Sequence, residues 1–361
     1  MMRLGLLLPW VTPSHRRYLP PIGGSILQSI YSCCFSSKSR YRLNRVTADM
    51  ETQNKLMEKA RRPVNSRLCR VSGSMTEIME IKAENPTYLV LFIPGNPGVV
   101  SFYNDFLESL YEFLDGNASI IAVGQISHTS KDWESGRLFS FQEQIDHKID
   151  FIRQELESVK VPIVLVGHSI GSYICLNILR KFSEKVVYCV GLYPFLTLNQ
   201  QSKQQSLIGK LAASSVLSAT VSFLIASLRL LPMSAARLLV SNSIGASWSD
   251  TAVQATCTHL RQYHTMRNVL FMAKSEFTEL AVEPDWDFMR ENQSKLAFLF
   301  GIDDHWGPLQ LFEEISKQAP GTSLSIEREG HTHGYCCTVA GSEWVAQHVA
   351  TLIKNRFSQL Q

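Results

Sequence analysis

Cysteine pairs at metal or redox spacing are missing from this sequence. Its eight cysteines fall as two adjacent couples, Cys33 with Cys34 and Cys336 with Cys337, and as singles at Cys69, Cys175, Cys189 and Cys257. With no CxxC anywhere, the common zinc and dithiol frameworks are excluded, and no metal or organic cofactor is expected. Cys175 and Cys189 sit in apolar runs, where a reduced thiol behaves as a small hydrophobe, so a reduced, cytosol-facing body is expected. Charge of one sign is also lacking. Thirty-five Lys and Arg stand against 32 Asp and Glu, a net charge of +3 spread along the chain. That excludes a nucleic-acid footprint.

Acidic residues are absent before Asp49, while Arg3, Arg16, Arg17, Lys38, Arg40, Arg42 and Arg45 and many serines are present. This is the composition of an organelle transit peptide. Equally, Met50 opens an ordinary soluble start, which makes residues 1–49 a dispensable extension. A secretory signal is disfavoured, since Pro9 interrupts the apolar stretch 4–11 and no small-residue cleavage site follows. The Asn117 and Asn292 sequons are then chance matches.

What is present is an alternation, regular from residue 70. Strands are predicted at 75–83, in "TYLVLFIPGNPG" (87–98), in "ASIIAVGQIS", in "PIVLVG", in "KVVYCVGLYP", in "KLAFLFG" (295–301) and in "TSLSIERE" (322–329). Helices are predicted from about residue 101, with Phe102, Phe106, Leu110 and Phe113 at helical spacing, then in "QEQIDHKIDFIRQEL", in "YICLNILRKF" and from about residue 342. Strands alternating with helices imply one large α/β domain over 70–361, a mostly parallel sheet covered on both faces, with an insertion at 196–290.

"VPIVLVGHSIGSY" (161–173) delivers Ser169 at the end of a strand, inside G-x-S-x-G. Gly167 and Gly171 allow the sharp strand-to-helix turn that lifts a serine hydroxyl above a sheet edge. The helix after it aims N–H groups, that of Ile170 first, where an oxyanion would form. A nucleophilic serine needs a base and an acid, in the order Ser, Asp or Glu, His. "LFGIDDHWGP" offers Asp303 and Asp304 after one strand, and "EREGHTHGYCC" offers His331 and His333 after the next. The spacing alone leaves the choice within each pair open. "IPGNPG" (93–98) fits the second half of an oxyanion hole, because Gly95 and Gly98 permit close approach and Asn96 keeps an N–H that Pro97 lacks. His168 is expected to be structural, and Cys336 and Cys337 to pack.

These residues resemble the lipid droplet-associated hydrolases, a family of the α/β-hydrolase fold, and look like a plant member. The resemblance rests on "FIPGNPGVVSFYNDF" (92–106), "ISHTS" (126–130), "FQEQIDHKIDFI" (141–152), "LVGHSIGSY" (165–173) and "DHW" (304–306), and runs from about residue 75 to the C-terminus. It implies Ser169 as nucleophile, Asp304 as acid because a residue and then Trp follow it, and His333 as base because Gly334 and Tyr335 follow. It also implies a serine esterase or lipase acting on hydrophobic esters, such as sterol esters or acylglycerols, at the lipid droplet surface, with the endoplasmic reticulum as a further location.

The insertion carries an apolar segment, 209–248, with 18 uncharged residues from 211 to 228 and Pro232 beyond. Five serines and a threonine dilute it as a membrane span. It reads either as a hairpin entering one leaflet or a droplet monolayer, with Lys210, Arg229 and Arg237 near phosphates, or as a cap over the active site. Two functions from different classes follow: an ester hydrolase, and a droplet-organising protein with an idle triad whose working part is 209–248.

Overall fold

The computed structural model describes residues 64–243 and 247–360. The extension expected at 1–49, with Cys33 and Cys34, lies outside them. Eight strands form one sheet: β1 (Asn65–Val71), β2 (Ser74–Ile81), β3 (Tyr88–Ile93), β4 (Ala118–Val123), β5 (Ile163–His168), β6 (Val186–Leu192), β7 (Leu296–Gly301) and β8 (Ser323–Glu327). Their order is β1-β2-β4-β3-β5-β6-β7-β8. β2 is antiparallel to β1 and β4, and every other pairing is parallel. β1 begins before residue 70; at this sheet edge only Cys69 and Val71 are buried, with Leu68 and Arg70 exposed beside them, too weak an apolar pattern to stand out in the sequence.

The central strands β3 and β5 are buried at every position. Their side chains alternate between two cores, Val90, Phe92, Val164 and Val166 on one face and Leu89, Leu91, Ile163 and Leu165 on the other. Helices α1 (Asn104–Phe113) and α11 (Val339–Leu360) cover the first face. The second is covered by α2 (Phe141–Glu155), α3 (Ile170–Lys181) and α10 (Leu309–Gln318). Each fully buried Leu, Ile, Val or Phe in these layers contributes about 1.5–3 kcal/mol. A capping box starts α2, with Ser140 accepting from the Glu143 N–H and the Glu143 carboxylate accepting from the Ser140 N–H.

Between β6 and β7 the insertion is helical: α4 (Lys203–Ala213), α5 (Ser215–Ser227), α6 (Met233–Ser243), α7 (Asp250–Ala255), α8 (Tyr263–Glu279) and α9 (Trp286–Glu291). Helices α4, α5 and α8 pack together as a cap over the carboxyl ends of the central strands. Among the described residues no single helix is long and apolar enough to cross a membrane. Residues 203–213 and 215–230 reach that length and composition only as a pair bent by 97°.

Candidate active site

Ser169 stands between β5 and α3 with φ 55° and ψ −125°, a conformation that costs a non-glycine residue about 1–3 kcal/mol and persists only where its surroundings impose it. Those surroundings are the two elbow glycines. A Cβ on Gly167 would meet the Gly171 backbone, and one on Gly171 would meet the carbonyls of Ile93 and Pro94, so strand, helix and the β3 loop approach as only glycine permits. A Cβ on Gly95 would lie 3.0 Å from that of Ser169, and one on Gly98 would overlap Gln125. Ile170 opens α3. Neither its N–H nor that of Asn96 has a hydrogen-bond partner among the described residues, which leaves both as donors beside the serine.

Asp304 and His333 come from the loops after β7 and β8. His333 Nδ1 lies 2.8 Å from Asp304 Oδ2, and Asp304 Oδ1 accepts from the Trp306 N–H at 2.9 Å. Both side chains are buried, and His333 shares a cavity wall with Ser169. Asp303 is exposed, and His331 turns away onto the Trp344 ring, 5.8 Å between centroids. Cys336 and Cys337 are fully buried in the core beside Tyr335, and the six described cysteines form no disulfide with one another.

His168 ties the site together. Its Nε2 is 2.9 Å from the His333 carbonyl, which can only accept, so Nε2 carries the proton and Nδ1 accepts from the Tyr103 hydroxyl at 2.7 Å. The Gly95 N–H donates to that hydroxyl at 3.3 Å. Burial, reinforced by the neighbouring His333, holds the His168 pKa well below the usual histidine range and keeps the ring neutral. The oxyanion-side loop is braced from behind as well. His128 Nδ1 accepts from the Gly98 N–H at 2.8 Å, and Gln125 donates to the Pro94 carbonyl at 3.3 Å. Lys148, wholly buried, donates to Gln125 at 2.7 Å, and burial pushes its amine well below the ordinary lysine pKa. The motif residues of 126–130 and 141–152 therefore act as braces of the 93–98 loop.

The cavity above Ser169 is walled by Phe195, Ile208, Leu211, Leu270, Ala273 and Trp306, with Asn96, Glu276 and His333 as further lining. Its volume is about 40 Å³, room for a few waters. Glu276 is a member that sequence reasoning missed, although it falls on the same α8 stripe as Val269 and Ala273, a carboxyl on a buried face. Among the described residues no group of three or more His, Cys, Asp or Glu side chains is placed to hold a metal ion.

The strand order, the elbow serine and the covering helices are those of the α/β-hydrolase fold. Haloalkane dehalogenase DbeA from Bradyrhizobium elkani has a similar fold at TM-score 0.62 and 13% identity, covering 82% of this chain and 99% of that one. The family model described as Lipid-droplet associated hydrolase matches residues 86–336, and the chain belongs to that family. Lipid droplet-associated hydrolases of Gallus gallus and Dictyostelium discoideum are 27% and 25% identical to it, over 73% and 76% of this chain and 84% and 93% of theirs.

Proposed function

We propose that this protein hydrolyses carboxylic esters of hydrophobic lipids, sterol esters or acylglycerols, at a lipid droplet surface. The observation that carries the reading is a strained elbow serine sharing one largely apolar cavity with a histidine whose far nitrogen is bound by a buried carboxylate. Ser169 Oγ attacks the ester carbonyl while His333 Nε2 takes its proton, and Asp304 fixes the imidazole tautomer and stabilises the imidazolium. The Asn96 and Ile170 N–H groups receive the oxyanion. Collapse of the intermediate breaks the ester C–O bond, and His333 returns its proton to the leaving alcohol. Water, deprotonated by His333, then attacks the acyl-enzyme, releases the fatty acid and restores Ser169.

An acyl chain does not fit in 40 Å³, so α4 and α8 must part from the site to admit substrate. The cap surface supports a lipid setting for that opening. Helix α5 buries Val221 and Ile225 together with Ser218 and Ser222, yet exposes Val216, Leu217, Phe223 and Leu224, so apolar side chains stand on its outer face as well as its inner one. Its serines are satisfied inside, since Arg267 donates to Ser218 Oγ at 2.9 Å and Ser222 donates to the Ser218 carbonyl at 2.7 Å. Leu230, 88% exposed, and Leu238, 64% exposed, extend the patch. Such a surface favours insertion into a phospholipid monolayer. The same patch favours a second reading, a droplet-organising protein in which the triad is idle.

Labelling with a fluorophosphonate, compared among wild type, Ser169→Ala, His333→Ala and His331→Ala, separates the two. Hydrolysis requires labelling that vanishes in Ser169→Ala, drops strongly in His333→Ala and survives in His331→Ala. A folded wild type that stays unlabelled with and without a lipid surface points to the organising role.

A further inference from the structure

Glu276 has no place in the reaction as written, yet it forms part of the cavity wall, 3% exposed. Among the described residues no cation pairs with it. Its Oε1 accepts from Asn96 Nδ2 at 2.9 Å, and the same amide nitrogen donates to the Val269 carbonyl at 3.0 Å. The Asn96 amide nitrogen thus ends wholly on helix α8. The neighbouring loop glycines are tied elsewhere, Gly95 to Tyr103 and Gly98 to His128. Pro97 has no N–H to add a tether. Asn96 is therefore the point at which the oxyanion loop is held by the cap.

We propose that Glu276 is a positioning residue for ester hydrolysis: by holding the Asn96 amide it aims that residue's backbone N–H at the tetrahedral oxyanion, and it makes the donor's placement depend on closure of α8 over the substrate. This rests on the Ser169–His333–Asp304 reading above.

The protonation state fits the task. A carboxylate beside a forming oxyanion in a water-poor cavity would repel it, whereas a neutral carboxyl accepts from Asn96 without that cost. Burial pushes the Glu276 pKa up to about 8, against the smaller lowering by the Asn96 hydrogen bond. Other charged groups nearby face away or are engaged. On α8 itself Arg267 bonds Ser218, Lys274 is exposed and Glu279 accepts from Tyr173. On α4, Lys203 and Lys210 are exposed; on α2, Lys148 bonds Gln125 and lies 3.2 Å from His147. From the sheet side the facing titratable group is His333, backed by Asp304.

The test is steady-state hydrolysis of p-nitrophenyl butyrate by the full chain across neutral and alkaline pH, with thermal unfolding of each variant alongside. Glu276→Gln keeps an acceptor for Asn96 and cannot ionise. It should retain kcat at neutral pH within about twofold and lack the alkaline decline near pH 8 that the proposal expects of wild type. Glu276→Leu should lower kcat by about 10- to 100-fold with KM changed far less, as expected when an interaction specific to the transition state is weakened. A folded Glu276→Leu with wild-type kcat, or an alkaline decline unchanged in Glu276→Gln, overturns the proposal while leaving the triad standing. If Glu276→Leu does not fold, the Glu276→Gln pH profile decides. Hydrolysis undiminished in Ser169→Ala would overturn the underlying reading, and this inference with it.

Discussion

His168 donates from Nε2 to the backbone carbonyl of His333, 2.9 Å away across 165 residues of sequence. The residue preceding the elbow serine thereby anchors the loop that carries the proposed base, while its other nitrogen anchors Tyr103 and, through it, Gly95. Three loops of the site hang on one neutral imidazole. Tyr103→Phe keeps the ring against Phe92, 4.6 Å between centroids, but leaves His168 Nδ1 and the Gly95 N–H buried without a partner. A buried polar group left unpaired costs about 1–3 kcal/mol, so Tyr103→Phe should lower unfolding free energy by at least that much in urea denaturation. It should also lower kcat for a soluble ester by about tenfold, because base and oxyanion loop both loosen. Wild-type stability and turnover together would show that the link bears neither.

Glu276 also predicts a pH-dependent stability. Its carboxyl is held at about 8 in the folded protein against an ordinary value of 4.5. Between those two values the folded protein keeps a proton that the unfolded chain has released, so rising pH removes stability through this window and no more above it. Glu276→Gln lacks the titration. Its stability relative to wild type should therefore be similar near pH 4.5 and rise by a few kcal/mol at pH 8, because a proton held tenfold more tightly by the folded protein is worth about 1.4 kcal/mol. Urea denaturation at the two pH values measures the difference directly. An equal difference at both would mean that Glu276 titrates normally.

Much of this was legible in the sequence, for identifiable reasons. Strands β3 to β7 are short apolar runs ended by glycine, proline or a polar turn, and the helices between them carry apolar stripes, so element type followed from periodicity. Ser169 was legible because its two glycines leave little else for the turn to do, and residue order pointed to the aspartate and histidine loops. The choice of Asp304 over Asp303 and His333 over His331 needed the family resemblance, because adjacent candidates differ in side-chain direction, which spacing does not encode. β1 was missed because an edge strand with only Cys69 and Val71 buried, interrupted by Arg67 and Arg70, offers little hydrophobic signal. Tyr103, Lys148 and Glu276 were missed because their importance lies in partners far along the chain: Tyr103 with His168, Lys148 with Gln125, and Glu276 with Asn96 across 180 positions. The 209–248 segment left cap and lipid hairpin as alternatives. The helices pack as a cap, and the apolar residues on their outer surface are what the proposed lipid docking rests on.

That outer surface gives a test which separates lipid docking from catalysis. Phe223, 66% exposed, and Leu230, 88% exposed, gain almost nothing from the fold where they stand. Replacing both with glutamate should change unfolding free energy by no more than about 0.5 kcal/mol, as is usual for surface positions. On a triacylglycerol emulsion coated with phosphatidylcholine the consequence differs. Burying one such side chain in an apolar phase is worth about 1.5–3 kcal/mol, so losing even one contact weakens binding by tenfold or more. Flotation of Phe223→Glu/Leu230→Glu with the emulsion should therefore fall by at least that factor, and emulsion hydrolysis with it. Turnover of dissolved p-nitrophenyl butyrate should stay at the wild-type level, because neither residue lines the cavity above Ser169. If flotation were unchanged, the exposed face of α5 would not be the surface that meets lipid; if soluble turnover fell as well, these residues would be acting on the closed cap rather than on docking.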